Sequence, residues 1–317
     1  MEEREMLFSC FSNELKVALQ SWFQKEDGLQ EIRLRINQPL LIRWRGEEIF
    51  LDGQGLQVKD CALALIITNH HLQETLSYLS DYSLYAYEDE IRQGYLTTKH
   101  GCRIGICGKV VVEKGNIQTI HHMSSLNIRF PHEIKGCATE ILPYIIKGDC
   151  VQDTLILSPP MCGKTTILRD MIRQISNGIS TKITGKTVGV VDERGELSAC
   201  HLGISQYDMG RKTDILDGCP KVEGMMMLVR TMSPDVIAVD EIGSEEELKA
   251  MEYSMNCGCA ILATAHATSF QELLKKTMFL YGRKEQMFQR YIVLSKRMGV
   301  GTIEEVRNEK GELIWNR

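Results

Sequence analysis

The segment QDTLILSPPMCGKTTILRDMIRQISNG, Gln152 to Gly178, constrains the fold of this chain more than any other. It opens with an apolar run of strand length, passes through a loop, and continues as an amphipathic helix that stops at Asn177-Gly178. A strand, a loop ending in Gly-Lys-Thr and a helix, in that order, make a phosphate-binding loop. Successive backbone N–H groups and a helix N-terminus face one anion while a lysine adds positive charge. Gly163, Lys164 and Thr165 are the parts no other residue replaces, whereas Ser158 stands where the usual pattern has glycine and bulky Met161 follows three residues on. Ser158 suits an extended strand exit, and Met161 is tolerable provided its backbone avoids positive φ. The expected cradle is Ser158, Pro159, Pro160, Met161, Cys162, Gly163, Lys164, Thr165 and Thr166.

Three further apolar runs, in TVGVVDE, DVIAVDE and CAILATAH, are bounded by turn or helix signals, as fully buried parallel strands are. Ser244 with Glu247, and Ser269 with Glu272, have capping-box spacing at the starts of two helices. The second half therefore reads as an α/β domain, in which ligands gather at the carboxyl ends of the strands. Asp240 and Glu241 close one strand, where the first carboxylate can hold Mg²⁺ through water and the second can activate an attacking water. Asp192, Glu193 and Arg194 close another strand, and His266 closes a third. A lone histidine at a strand end is commonly a satisfied core residue, so a role for His266 in sensing a phosphate depends on the other three elements.

The first half has a different texture. EIRLRINQPLLIRWRGEEIFL alternates apolar and charged residues around turns at Asn37-Gln38-Pro39 and Gly46, and so reads as a β meander. Leu72, Leu76 and Leu79 are helically spaced over 70–80, with Thr68 or Asn69 available as cap. GYLTTKHGCRIGICGKVVVEKGNIQTI contains three β-rich runs with turns expected at Lys99-His100-Gly101, Gly108 and Lys114-Gly115-Asn116. The expected organisation is an α+β domain with an antiparallel sheet over 1–135, a linker over 136–150 and the α/β domain over 151–317.

Composition narrows the classes. A chain of 317 residues exceeds what one ordinary core organises, and no segment approaches the roughly eighteen consecutive apolar residues of a membrane span. MEEREMLFSCF places acidic residues where a secretion signal needs basic ones, which points to the cytoplasm. Eleven cysteines, an odd number with no C-x-x-C pair, read as reduced and mostly buried thiols rather than a zinc or disulfide framework. His70-His71 and His121-His122 lack partners at ligand spacing. A formal charge of −5 and the lack of an aromatic-and-basic stretch argue against nucleic acid as a partner.

Four strand-end elements in this order, phosphate loop, acidic box, acidic strand end and histidine, resemble the secretion ATPases of type II and type IV systems and pilus motors. Within that superfamily the likeness is to its sporulation branch. The stretches EIRLRINQPLLIRWRGE, GYLTTKHGCRIGICGK, SSLNIRFPHE, SPPMCGKTTILRD, VVDERGE and RTMSPDVIAVDEIGS carry it over nearly the whole chain. The resemblance implies a RecA-like P-loop NTPase domain behind a smaller N-terminal α+β domain, with ATP and Mg²⁺ as cofactors. It implies that Lys164 contacts the β- and γ-phosphates, Thr165 and Asp240 serve the metal, and Glu241 is the general base. Glu193 would be the acidic-box carboxylate and His266 part of a histidine box.

It also implies arginines of the N-terminal domain reaching nucleotide across a subunit boundary. Arg103 and Arg129 are the candidates; they read equally as sheet-face charges, and Arg194, Arg211 and Arg230 compete with them. Ser158 and Met161 depart from the family's loop glycines, which bears on turnover more than on binding. No tetracysteine zinc module of the kind some type II relatives carry is found. The implied assembly is a homo-oligomeric ring of six, cytoplasmic and held at the inner face of a membrane by integral membrane proteins of a sporulation channel complex. Two other readings stand beside it: a nucleic-acid-stimulated P-loop motor, and a nucleotide-binding scaffold with little turnover.

Overall fold

A computed structural model describes residues 2–25, 28–98, 103–113, 115–130, 134–179, 183–200, 202–277, 279 and 287–317. The chain divides into two compact units, Met1–His132 and Glu133–Arg317.

In the first unit, α1 (Glu2–Ser9) and α2 (Asn13–Gln24) precede a meander of β1 (Leu29–Arg35), β2 (Leu41–Trp44), β3 (Glu47–Leu51) and β4 (Gln57–Val58). Then come α3 (Asn69–Leu79), α4 (Glu88–Arg92), β5 (Tyr95–Thr97), β6 (Arg103–Glu113) and β7 (Asn116–Arg129). The strands form one antiparallel sheet in the order β4-β3-β2-β1-β7-β6-β5. Alternation drives its burial: Ile32 and Leu34 of β1 join Leu15 and Leu19 of α2 and Leu72 and Leu76 of α3 in one core, while Arg33 and Arg35 stay outside it. Thr68 caps α3 and His71 completes a capping box: the Thr68 hydroxyl accepts the His71 N–H at 3.2 Å, and His71 Nδ1 accepts the Thr68 N–H at 3.2 Å. His71 is thus a buried capping residue, with Nε2 2.6 Å from Glu14.

Gly108 does not turn the chain, as its sequence context suggested. β6 runs straight through it with a bulge between Cys107 and Lys109, and a Cβ at 108 would meet the His121 carbonyl oxygen at 2.8 Å. The glycine serves close strand approach rather than chain reversal. The Lys99-His100-Gly101 turn and Lys114 lie outside the described residues, whereas Gly115 has the positive φ of a turn, +82°.

The second unit begins with α5 (Leu142–Ile145) and the small hairpin β8 (Ile146–Lys147) and β9 (Cys150–Val151). The segment 136–150, read as a linker, is packed instead. Ala138, Ile141, Leu142 and Ile145 recur at helical spacing and lie in the same core as Leu168, Met171 and Ile172. The Ala138 N–H also donates to Asp170 at 2.8 Å.

Next come β10 (Thr154–Ser158), α6 (Lys164–Asn177), β11 (Val188–Asp192), β12 (Thr213–Asp217), α7 (Lys221–Thr231), β13 (Val236–Val239), α8 (Glu245–Asn256) and β14 (Ala260–His266). The chain ends through α9 (Phe270–Leu273), β15 (Arg290–Ser295), β16 (Thr302–Asn308) and β17 (Leu313–Asn316). The sheet order is β12-β11-β13-β14-β10-β15-β16-β17, parallel as far as β15 and antiparallel beyond. Both faces are covered, which is why β10, β11, β13 and β14 are buried along nearly their whole length and mostly apolar. Ile156, Val190, Ala238 and Leu262 pack with α6, while Leu157, Val239 and Ala263 pack with Met225 of α7 and Leu248 of α8.

Ser244 and Glu247 form the expected capping box on α8. Ser269 likewise accepts the Glu272 N–H at 3.1 Å, but the Glu272 carboxylate turns to the Thr268 N–H, 2.7 Å away, and α9 is a single turn. Only Cys162, Cys200 and Cys259 of the described cysteines are buried; Cys61, Cys107, Cys150 and Cys257 are exposed, so burial is not the common trait expected of them. No helix among the described residues is long and apolar enough to cross a membrane.

Asp153 leads into β10, and its carboxylate accepts the Ile261 N–H at 2.8 Å. Burial pushes its pKa up from 3.8 to about 6. A raised folded-state value means that its contribution to stability is fully present below pH 3.8 and is lost as pH rises through about 6. Asp153→Asn keeps the acceptor for Ile261 and removes the charge. Its unfolding free energy should match wild type near pH 4 and exceed it at pH 7, by about 1–2 kcal/mol after allowance for solvent at this half-buried site, with a higher melting temperature at pH 7 to match. Equal melting curves at pH 7 would show that the carboxylate carries no burial penalty.

Candidate active site

Register brings the sequence-distant residues together. Ser158 pairs with His266 across β10 and β14, Val239 with Ala263 across β13 and β14, and Val191 with Val239 across β11 and β13. Since all four strands are parallel, their carboxyl ends open on one edge of the sheet.

The phosphate-loop segment leaves β10 through Ser158, which is fully buried, and re-enters helix at Gly163, the N-cap of α6, with φ +86° and no side-chain capping bond. That conformation is natural to glycine alone. Met161 has φ +59°, so the condition on which it was tolerable, a backbone outside positive φ, is not met. The tight turn ahead of the cap demands it, at a strain of about 1–2 kcal/mol. An unbranched side chain that is 74% exposed lets the loop tolerate it. The loop is pinned from outside, because the Gly301 N–H donates to the Cys162 carbonyl at 3.1 Å.

Lys164 is 7% exposed and has no carboxylate partner within ion-pair distance among the described residues. Its Nζ donates to His266 Nδ1 at 3.1 Å and lies 3.5 Å from the carbonyl oxygens of Ser158 and Pro159. Desolvation lowers its pKa, opposed by the nearby charges of Asp240 and Glu241. A buried ammonium at an uncapped helix N-terminus fits an anion, and a chain of phosphates fits both groups at once.

Beside it the Thr165 hydroxyl donates to one Asp240 oxygen at 2.8 Å, and the Thr264 hydroxyl donates to the other at 2.5 Å. Mg²⁺ takes one or two protein oxygens and fills its octahedron with water and phosphate, so Thr165 and Asp240 are the residues that could hold it.

Glu241 follows with φ +50°, a second strained non-glycine residue. Its N–H donates to Thr264 Oγ1 at 2.9 Å and its carbonyl accepts Lys221 Nζ at 2.7 Å. One carboxylate oxygen is 2.9 Å from His266 Nε2, and the other is 4.0 Å from Arg194. A single neutral tautomer of His266 serves both neighbours, with Nε2–H donating to Glu241 and Nδ1 accepting from Lys164.

Glu193 is 3.5 Å from Lys221. Asp192 is instead structural: buried, it accepts the N–H groups of Glu196, Leu197 and Ser198 at 2.9, 3.1 and 2.8 Å, together with the Ser198 hydroxyl. It thereby shapes the turn that carries Glu193 and Arg194. Those residues, Glu196, Lys221, Asp240 and Glu241 line one recess.

The site thus unites Ser158, Lys164, Thr165, Glu193, Asp240, Glu241 and His266, with Pro159, Pro160, Met161, Cys162 and Thr166 on the same strand-to-helix connection. Arg129 belongs to the first unit, where it is 63% exposed and lies 3.7 Å from Glu31. Arg103 pairs with Arg129 in backbone register across β6 and β7, and its side chain lies outside the described residues. Arg211 and Arg230 are exposed, and Arg230 stands in the last turn of α7.

Two residues were missed in the sequence. Thr264 had a signal, being a lone hydroxyl in an apolar strand two residues before His266 and so on the same face. Lys221 had none, since only the fold brings the first turn of α7 to the end of β13.

The fold is that of the secretion-system ATPases. The Legionella pneumophila ATPase DotB superposes with a TM-score of 0.55 at 13% identity, over 84% of this chain and 72% of its own. The pilus retraction motor PilT, with bound ADP, superposes with a TM-score of 0.54 at 15% identity, over 84% of this chain and 74% of its own. Such identities speak to fold alone. The family described as sporulation stage III, protein AA matches residues 1–314, and the chain belongs to it. Stage III sporulation protein AA of Bacillus subtilis (strain 168) is 36% identical over 314 residues, 99% of this chain and 96% of its own.

The left-handed loop residue makes a direct prediction. Met161→Ile should lower the unfolding free energy by about 1 kcal/mol, since a β-branched residue resists positive φ, while Met161→Gly should leave it unchanged or raise it by up to about 1 kcal/mol. Equal urea midpoints for the two variants would contradict the backbone conformation described.

Proposed function

We propose that the chain is a Mg²⁺-dependent ATPase that works as a homo-oligomeric ring, six subunits by family likeness. It would sit at the cytoplasmic face of a membrane and energise a transport or channel assembly of endospore formation through integral membrane partners. The observation that carries this reading is the buried Lys164, whose ammonium has a histidine and two carbonyls beside it and, among the described residues, no carboxylate within ion-pair distance, at the mouth of an uncapped helix.

Within the loop from Ser158 to Thr166, whose two prolines carry no N–H, the N–H groups from Met161 to Thr166 would bind the phosphates, with Lys164 on the β- and γ-phosphates. Thr165 and Asp240 would hold Mg²⁺, which when bound neutralises phosphate charge. Glu241 would take the proton of the attacking water on a carboxylate oxygen, and Glu193 would contribute the acidic-box carboxylate. His266, bonded to both Lys164 and Glu241, would couple phosphate occupancy to the position of the base.

Transition-state charge calls for an extra cation, and the proposed donors are Arg103 and Arg129 of a neighbouring subunit, which would make turnover depend on assembly. DotB is an ATPase and PilT a pilus motor by description, and the Bacillus relative is named for sporulation. Those descriptions support the motor and its setting in this order.

Lys164→Ala should abolish both ATP binding and turnover. Glu241→Gln should lower kcat at least about 100-fold while ATP still binds in calorimetry. Specific activity should rise with protein concentration as rings form. A Glu241→Gln variant that hydrolyses ATP at the wild-type rate would remove the base assignment, and concentration-independent activity would remove the ring.

A further inference from the structure

Lys221 has the contacts of a working residue and no role in the reading above. It stands in the first turn of α7, where the helix dipole disfavours a cation, and its side chain is only 10% exposed. Its shortest contact is with a carbonyl, that of Glu241 at 2.7 Å, while Glu247 and Glu193 neutralise it from 3.4 and 3.5 Å. Glu247 is itself fixed. The second oxygen of Glu247 accepts the Gly243 and Ser244 N–H groups at 2.7 and 3.2 Å. α7 is seated so closely on β11 that a Cβ on Gly224 would lie 2.5 Å from Val191 Cγ1.

The carbonyl that Lys221 holds belongs to a residue in a strained conformation, φ +50° at Glu241. Strain of this kind persists only where the surroundings over-determine it. The peptides on either side of Glu241 are held at three points: its N–H by Thr264 Oγ1 at 2.9 Å, its carbonyl by Lys221, and the next N–H, of Ile242, by the Thr264 carbonyl at 2.8 Å. Two of these bonds come from one threonine on β14. Lys221 alone acts from the side of α7.

We propose that Lys221 is the positioning residue of the hydrolytic centre: its ammonium locks the main chain of Glu241 in the left-handed conformation that aims the carboxylate at His266, and ties Glu193 into the same arrangement. Without it, residue 241 relaxes towards negative φ and the carboxylate swings away. The proposal rests on the assignment of Glu241 as the water-activating base. Lys221 touches no phosphate in this scheme, so its loss slows the chemical step and spares binding.

The test is steady-state ATP hydrolysis and ATP calorimetry on the full chain. Lys221→Met should lower kcat about 10- to 100-fold with KM and Kd for ATP within about threefold of wild type. Lys221→Arg, which still offers a donor to the carbonyl, should recover most of the rate. Lys249→Met, which removes an exposed lysine paired with Glu245 on α8, should leave kcat unchanged. If the methionine variant does not fold, Lys221→Gln gives the same readout.

An unchanged kcat in Lys221→Met overturns the proposal, and so does a parallel fall in kcat and ATP affinity, which marks a general loss of structure. A wild-type protein with no turnover overturns the ATPase reading itself, an outcome distinct from both.

Discussion

Everything at the strand ends turns on the burial of one ammonium group. Taking a lysine out of water is costly unless an opposite charge meets it, and Lys164 meets an imidazole nitrogen and two carbonyl oxygens instead. Of the carboxylates near enough to raise its pKa, Asp240, Glu241 and Glu196, the first is engaged by two threonine hydroxyls and the second by His266, while Lys221 holds the main chain of Glu241 by its carbonyl. Asp240 and Glu241 are therefore kept off the lysine by their own hydrogen bonds. The fold maintains a cation and a pair of anions side by side without letting them neutralise each other, an arrangement that a triphosphate with its metal would complete.

Two of the left-handed non-glycine residues lie at these same strand ends. Met161 and Glu241 both lie in the left-handed region, one on the loop after β10 and one on the loop after β13. The two are supported differently. Met161 relies on the Cys162–Gly301 bond and a solvent-facing side chain, whereas Glu241 is bonded on both of its peptides. That difference matches what each position must do: the loop needs only to curl around an anion, while a base has to keep one direction. Distortion that would be a liability in the sheet is useful at its edge, where a side chain has to be re-aimed.

Much of this was legible in the sequence because buried parallel strands announce themselves as short, uniformly apolar runs. The strands that carry Ser158, Asp192 and His266, and the one that ends just before Asp240, could each be placed, as could the end of α6 at Asn177-Gly178. Their lateral order could not be, because the insertion of β14 between β10 and β13 is settled by helix packing on the two faces and leaves no local trace. Lys221 was hidden for that reason. Thr264 and the packed segment from Ala138 to Ile145 were different: strand alternation marked one and helical spacing the other. At Met161 the sequence argument ran the wrong way, because steric preference yielded to the curvature the cap requires.

The uncompensated burial of Lys164 can be measured without any assay of turnover, by thermal unfolding of wild type and Lys164→Met in buffer and with inorganic tripolyphosphate. A methionine of similar length removes the desolvated charge, so the variant should melt above wild type in buffer alone. Tripolyphosphate should raise the wild-type melting temperature and leave the variant's unmoved. A Lys164→Met protein that melts below wild type, yet responds to tripolyphosphate as strongly, would contradict the account at its base.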